Sequence, residues 1–268
     1  YVPARDVEVL KQRGLKVDST SAARSNFLQF DTSHDKAPGV ADKSGNPIAN
    51  PFKDKRVRQA LTMATDRQFL AQKILLGYGT AAAQPFPSGL PGTSANLKVQ
   101  APDYEGAKAL LAEAGFPDGF NVVLAGPAGR YPGDAESLQA IAQNWAHIGI
   151  GVKPIVAPFS VFAPKRSNGE YPVWYGGCSG EAVTTCLDGL LASPNDERGT
   201  GSLNYGGYRN EAFDRMLAAA ETIEEGPQRN DALARATEFV MADYPMIPLY
   251  HFHLIVGYGP KVASYVVH

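Results

Sequence analysis

Five histidines and two cysteines, with a few carboxylates near them, are the side chains here whose types could support chemistry. His251 and His253 sit two apart in an apolar run, so on a strand both would face one side. Such a pair begins a metal site, which zinc completes with a carboxylate or a third histidine. Neither stands nearby in sequence, so a hydrogen-bonded or solvated strand face is the plainer reading. His34, His147 and His268 are isolated. The same pair, with Glu181 or Asp188 as a base, would make a hydrolytic site, but no spacing marks one. G-x-S-x-G, H-E-x-x-H, the phosphate-binding P-loop and G-x-G-x-x-G are all missing, and no cofactor is expected. Cys178 and Cys186 bracket the polar run CSGEAVTTC. They fit either a local disulfide in an oxidising compartment, the favoured reading, or two buried or free thiols.

Binding without reaction leaves other signatures. Open α/β sheets present ligand crevices at the carboxyl ends of their strands, and two loops qualify. In GPAGRYPG, residues 126–133, Arg130 and Tyr131 could clamp an anionic or aromatic group. In WYGGCSGE, residues 174–181, Trp174 and Tyr175 offer flat apolar faces and Glu181 a charge. The bland alternatives are a core position for Trp174 and a solvated cation for Arg130.

The elements that must hold these loops follow from periodicity and caps. Val57, Ala60, Leu61 and Ala64 form one apolar helix face behind an Asp54 cap, and Asp66 caps a second short helix closed by Gly77 and Gly79. Asp103 caps a helix with Ala107, Leu110, Leu111 and Ala114 inward. Leu138, Ile141, Ala142, Trp145 and Ile148 give a clear amphipathic stripe, and Phe159 opens a further helix through residue 168. Residues 187–192 read as a short helix, and Phe213 to Ala220 and Pro227 to Val240 as two longer ones. Strands are predicted over residues 15–17, 25–30, 120–124, 150–156, 171–175 and 247–256, with surface loops over 34–51 and 85–101. Strand and helix alternate through the middle, which predicts an α/β fold with crossover connections.

Composition narrows the class. Apolar residues make up 44% and charged ones 19%, with a net charge of -2. That is an ordinary globular balance, and scattered Lys and Arg argue against a nucleic-acid partner. No apolar run approaches the roughly 20 residues that span a bilayer, and YVPARDVEVL lacks a signal-peptide pattern.

Five segments, in order, resemble the peptide/opine/nickel-type family of extracellular solute-binding proteins of ABC importers. They are DKRVRQALTMATDR with LLGYGTA, YEGAKALLAEAGFPDG, IAQNWAHIGIGV, NYGGYRNEAFD and DYPMIPLY. The resemblance covers nearly the whole chain but only about the second half of a typical member. It implies a periplasmic-binding-protein-like lobe (type II, cluster C-like), with a mixed sheet flanked by helices. Residues 24–245 would form the second lobe, 1–23 the remnant of the first lobe and the crossing, and 246–268 the return segment. It further implies a periplasmic or surface-lipoprotein monomer that delivers a peptide or other small solute to an inner-membrane permease. Where peptide binders of the family resemble W-x-A-D-Y-x-x-P, Trp174 matches the Trp, but Gly177 stands where the Asp that pairs with a peptide's α-amino group would be. An ammonium left unpaired in a desolvated cleft costs several kcal/mol, so a free-amine peptide fits poorly unless Glu181 or the missing lobe supplies the charge. Arg24, at the implied crossing, would favour an anionic ligand; an exposed hinge salt bridge is its plainer role.

Overall fold

A computed structural model describes residues 2–180 and 182–263; Glu181 and His268 lie outside them. Chain order begins with α1 (Val7–Gln12), β1 (Lys16–Phe30), β2 (Val40–Ala41), α2 (Lys55–Ala64) and α3 (Arg67–Phe69), which runs into a π turn at Leu70–Ile74. Then come β3 (Gly79–Ala81), α4 (Tyr104–Glu113), β4 (Asn121–Pro127), α5 (Asp134–Ala146), β5 (Gly151–Ala157) and α6 (Phe159–Ser167). The chain continues with β6 (Val173–Ser179), α7 (Val183–Cys186), a π turn at Leu187–Leu191, α8 (Glu211–Glu221), α9 (Pro227–Met241) and β7 (Met246–Tyr258). The seven strands form one mixed sheet in the order β2-β4-β6-β1-β7-β3, with β5 also paired to β4. Strands β4, β5 and β6 are parallel, while β1 runs antiparallel to both β6 and β7.

Asp54, Asp66 and Asp103 cap helices as the sequence predicts, and Asn210 adds a cap absent from that reading. Each accepts a backbone N–H of the following turn. Helices then cover both sheet faces. On one, α2, α4 and α5 bury Leu61, Leu111, Ile141 and Trp145 against Leu28, Val173, Tyr175 and Tyr250. On the other, α7 to α9 bury Leu187, Phe213, Leu233 and Val240 around Phe27 and Met246, and α6 places Phe162 beside Trp174.

Three expectations change. The strands predicted at residues 15–17 and 25–30 are one strand of 15 residues. Its polar half shows no alternation because there, among the described residues, it pairs only with β7, Lys16 to Ser21 lying opposite Tyr258 to His253. The ladder shifts between Ser21 and Ser25, which face His253 and His251, so residues 22–24 bulge from β1. Loop 34–51 contains β2, whose Val40 is buried. The segment after Tyr175 stays in the sheet: Gly176 and Gly177 pair with Phe27 and Asn26, and Cys178 with Ser25.

Candidate functional site

Strand β4 pairs late in its length with the start of β6, Leu124 with Val173 and Ala125 with Trp174, and the loop after β4 folds over the later part of β6. One carboxylate organises that loop. Buried Asp134 accepts the backbone N–H groups of Gly129, Arg130 and Tyr131 at 3.1, 2.8 and 3.0 Å, and that of Ala135 at 2.9 Å. A second tie comes from β7: the Tyr250 hydroxyl donates to the Pro132 carbonyl at 3.0 Å, and it lies 2.5 Å from the Tyr175 hydroxyl and 3.1 Å from Ser137 Oγ. Burial pushes both phenol pKa values up, that of Tyr250 to about 12, so the cluster stays neutral and hydrogen-bonded. Asp134 and Tyr250 are absent from the sequence-based site; the Asp that closes a glycine-flanked loop was the one available signal.

Held this way, Tyr131 lays its ring over Gly177. A Cβ on Gly177 would lie 2.6 Å from Tyr131 Cε1 and 3.0 Å from Asn26 Nδ2. The space that a carboxylate at 177 would need is therefore occupied by an aromatic ring. Burial raises the pKa of the Tyr131 hydroxyl, against the opposing pull of Arg130 and Arg166. Arg130 is exposed and stacked, its guanidinium carbon 5.0 Å from the Phe159 ring centroid and 5.8 Å from that of Tyr131. Among the described residues neither Arg130 nor Arg24 has a carboxylate partner.

These two arginines, flagged separately by the sequence, line one cavity of about 220 Å³ with Tyr78, Pro132, Phe252 and His253. Among the described residues no carboxylate lines it. The β1 bulge brings Arg24 there, since extra residues re-aim side chains at the point of insertion.

The aromatic candidates are core residues instead. Trp174 and Tyr175 are 1% and 0% exposed; Trp174 donates to Gln29 at 3.1 Å, and Tyr175 joins the tyrosine cluster. Their flat faces are spent on packing because β6 is an inner strand covered on both sides. Glu181 lies outside the described residues. Cys178 and Cys186 form a disulfide, their Cα atoms 6.1 Å apart, which fastens the end of β6 to α7.

Of the hydrolytic arrangement, Asp188 does not come together with the histidine pair. Asp188 opens on a cavity shared with Ser193, Asp214 and Glu221, while His253 lines the arginine cavity and lies 3.0 Å from Thr80 Oγ1. Buried His251 is held neutral by desolvation, its pKa lowered to about 4. Among the described residues no group of three or more His, Cys, Asp or Glu is placed to hold a metal, and no helix is long and apolar enough to cross a membrane.

The profile of the bacterial extracellular solute-binding proteins, family 5 (middle region), matches residues 1–185. Heme-binding protein A of Haemophilus influenzae is 28% identical over 97% of this chain and 44% of its own length. The dipeptide-binding protein of Escherichia coli is 25% identical over 84% of this chain and 42% of its own. In three dimensions the chain resembles the periplasmic binding protein DppA of Helicobacter pylori, solved with the peptide STSA. The TM-score is 0.82 at 23% identity, covering 99% of this chain and 49% of that one. The chain thus spans about half the length of the relatives it matches.

Proposed function

Since the chain belongs to the bacterial extracellular solute-binding proteins of family 5, we propose that it supplies one jaw of a two-lobed receptor. That receptor captures a small solute, in the periplasm or at the cell surface, and delivers it to an ABC permease without altering it. Residues 24–245 make up the jaw, and residues 1–23 and 246–268 lead to the other lobe. Closure bends the β1–β7 ribbon at the bulge around residues 22–24, a hinge motion driven by solute burial. The receptor acts as a monomer and needs no cofactor.

The solute class follows from the carboxyl edge of the sheet. One observation carries it: Arg130 has no carboxylate partner among the described residues, and the position beside it that could hold an ammonium-pairing acid is Gly177, covered by Tyr131. An unpaired guanidinium facing a cleft favours an anionic group, because charge-assisted bidentate hydrogen bonds strengthen as water leaves. The solute is therefore an anion whose recognition on this lobe does not use a free amine. The relatives named for heme and for dipeptides show the breadth of solutes within the family.

Calorimetry on the intact protein tests this with matched ligands, a dipeptide and its N-acetyl form. The acetylated form should bind at least as well, and Arg130→Ala should weaken binding by about tenfold or more. Tight binding of the free-amine form alone, unchanged in Arg130→Ala, would sink the proposal.

A further inference from the structure

Two arginines are buried among the described residues, Arg58 and Arg67, and their surroundings differ. Arg58 shows how this fold normally treats one. Its guanidinium donates to the carbonyls of Tyr244, Phe52 and Asp243 at 3.0, 2.8 and 2.7 Å, and meets the Asp243 carboxylate at 3.1 Å. Arg67 is only 7% exposed, yet it makes one hydrogen bond, to the Ala82 carbonyl at 3.4 Å, the weak end of the range. Its Nε is buried with no partner. Burial is the main influence on this guanidinium and works against its charge, while Tyr244 and Asp66 act the other way without a hydrogen bond to it.

Arg67 lines a cavity of about 500 Å³, within the roughly 300–1,000 Å³ of small-molecule sites. Met63, Leu97, Met241, Met246 and Pro248 supply an apolar wall, and Asp103 and Glu238 line the cavity as well. Neither carboxylate pairs with Arg67; both accept from neutral donors. Asp103 caps α4 through Gly106 N at 2.8 Å, and Glu238 accepts from Ser94 Oγ and from Asn96 Nδ2 at 2.8 Å. Exposed Lys98 at the mouth adds positive charge. The cavity lies by Met246 and Pro248 at the start of β7, whereas the arginine cavity of the cleft lies along Phe252 to Ile255 further down the same strand.

A buried, under-bonded guanidinium beside an apolar wall is costly unless an anion meets it. We infer that this chamber is a second binding site, for a small carboxylate with an apolar body, its carboxylate on Arg67 and its hydrocarbon among the methionines. The inference is independent of the solute assigned to the cleft.

Hexanoate, hexanol and inorganic phosphate are the probes, titrated into the intact protein by calorimetry and followed by thermal unfolding. Hexanoate should bind and raise the melting temperature, hexanol and phosphate should bind at least about tenfold more weakly, and Arg67→Met should abolish the hexanoate shift. Without ligand, Arg67→Met should melt no lower than the parent, since an unpaired buried charge is replaced by an apolar side chain of similar reach. A lower melting point in the variant would mark Arg67 as a structural strut and overturn the inference. So would hexanoate binding that survives the substitution, phosphate binding as tight as hexanoate, or no hexanoate binding to the parent.

Discussion

At Gly177 the cost of one carbon can be read directly. A Cβ there would sit 2.6 Å from Tyr131, so Gly177→Asp must push the ring away, and overpacking of this kind costs about 1–3 kcal/mol. Denaturant titration should show that loss, and Tyr131→Ala in the same chain should recover most of it. Such coupling is expected of residues in contact. Two titrating side chains give opposite pH slopes. His251 is held to a pKa of about 4 by burial against an ordinary 6.5, so between those values the unfolded chain binds the extra proton. Its contribution to stability is therefore lost as pH falls from about 6.5 toward 4. Asp188 is raised to about 7 from 3.8, first by burial and then by the Glu221 carboxylate. There the folded chain holds the proton, so its contribution falls as pH rises from 3.8 to about 7. Melting curves across pH 4–8 should show His251→Gln flattening the first limb and Asp188→Asn gaining stability at the alkaline end.

Among the elements, the loop after β4 and the bridge after β6 are where sequence and structure part most usefully. Asp134→Ala would strand four backbone donors, a loss of about 2–3 kcal/mol by thermal unfolding, with Arg130 no longer held at the cleft. Replacing both cysteines by serine should cost about 2 kcal/mol, modest because the closed loop is short. The caps at Asp54, Asp66 and Asp103 were legible because an Asp before an apolar period is a local signal, complete within a few residues. Gly176 and Gly177 were not. They look like a loop in the sequence, yet they continue β6 because Phe27 and Tyr131, from elements far along the chain, fill the space that side chains would need. Trp174 and Tyr175 misled for the same reason: an aromatic pair beside glycines fits a crevice, and only the flanking strands and α6 bury it. Glycine inside a strand marks close approach by a neighbour, and the sequence does not say which neighbour.

For the molecule as a whole, the mixed α/β sheet and its two helical layers follow the predicted order of elements, while the join between strand predictions at residues 15–17 and 25–30 depended on β7. Among the described residues Lys16 to Ser21 find strand partners only there, so their polar sequence carries no face of its own. This geometry also bears on affinity. If the chain is one jaw of two, as proposed, half of a solute stays in water, and the 268-residue chain should bind the cleft solute far more weakly than a two-lobed receptor. Calorimetry on both would show it, and equal affinity would mean that this chain walls its cleft alone.

The departure of β1 from its ladder between Ser21 and Ser25 has an arithmetical side. Ser21 to Ser25 spans two more positions than His253 to His251, and an even surplus leaves up-facing and down-facing positions unswapped. Deleting Ala22 alone makes the surplus odd and turns one half of the strand inside out, exposing Phe27 or Leu28 to the wrong layer. Removing Ala22 and Ala23 together keeps every face and straightens the ladder at that point, leaving the second shift between Asn26 and Phe27 in place. The single deletion should therefore abolish folding, and the double one should fold yet lose the freedom to flex there.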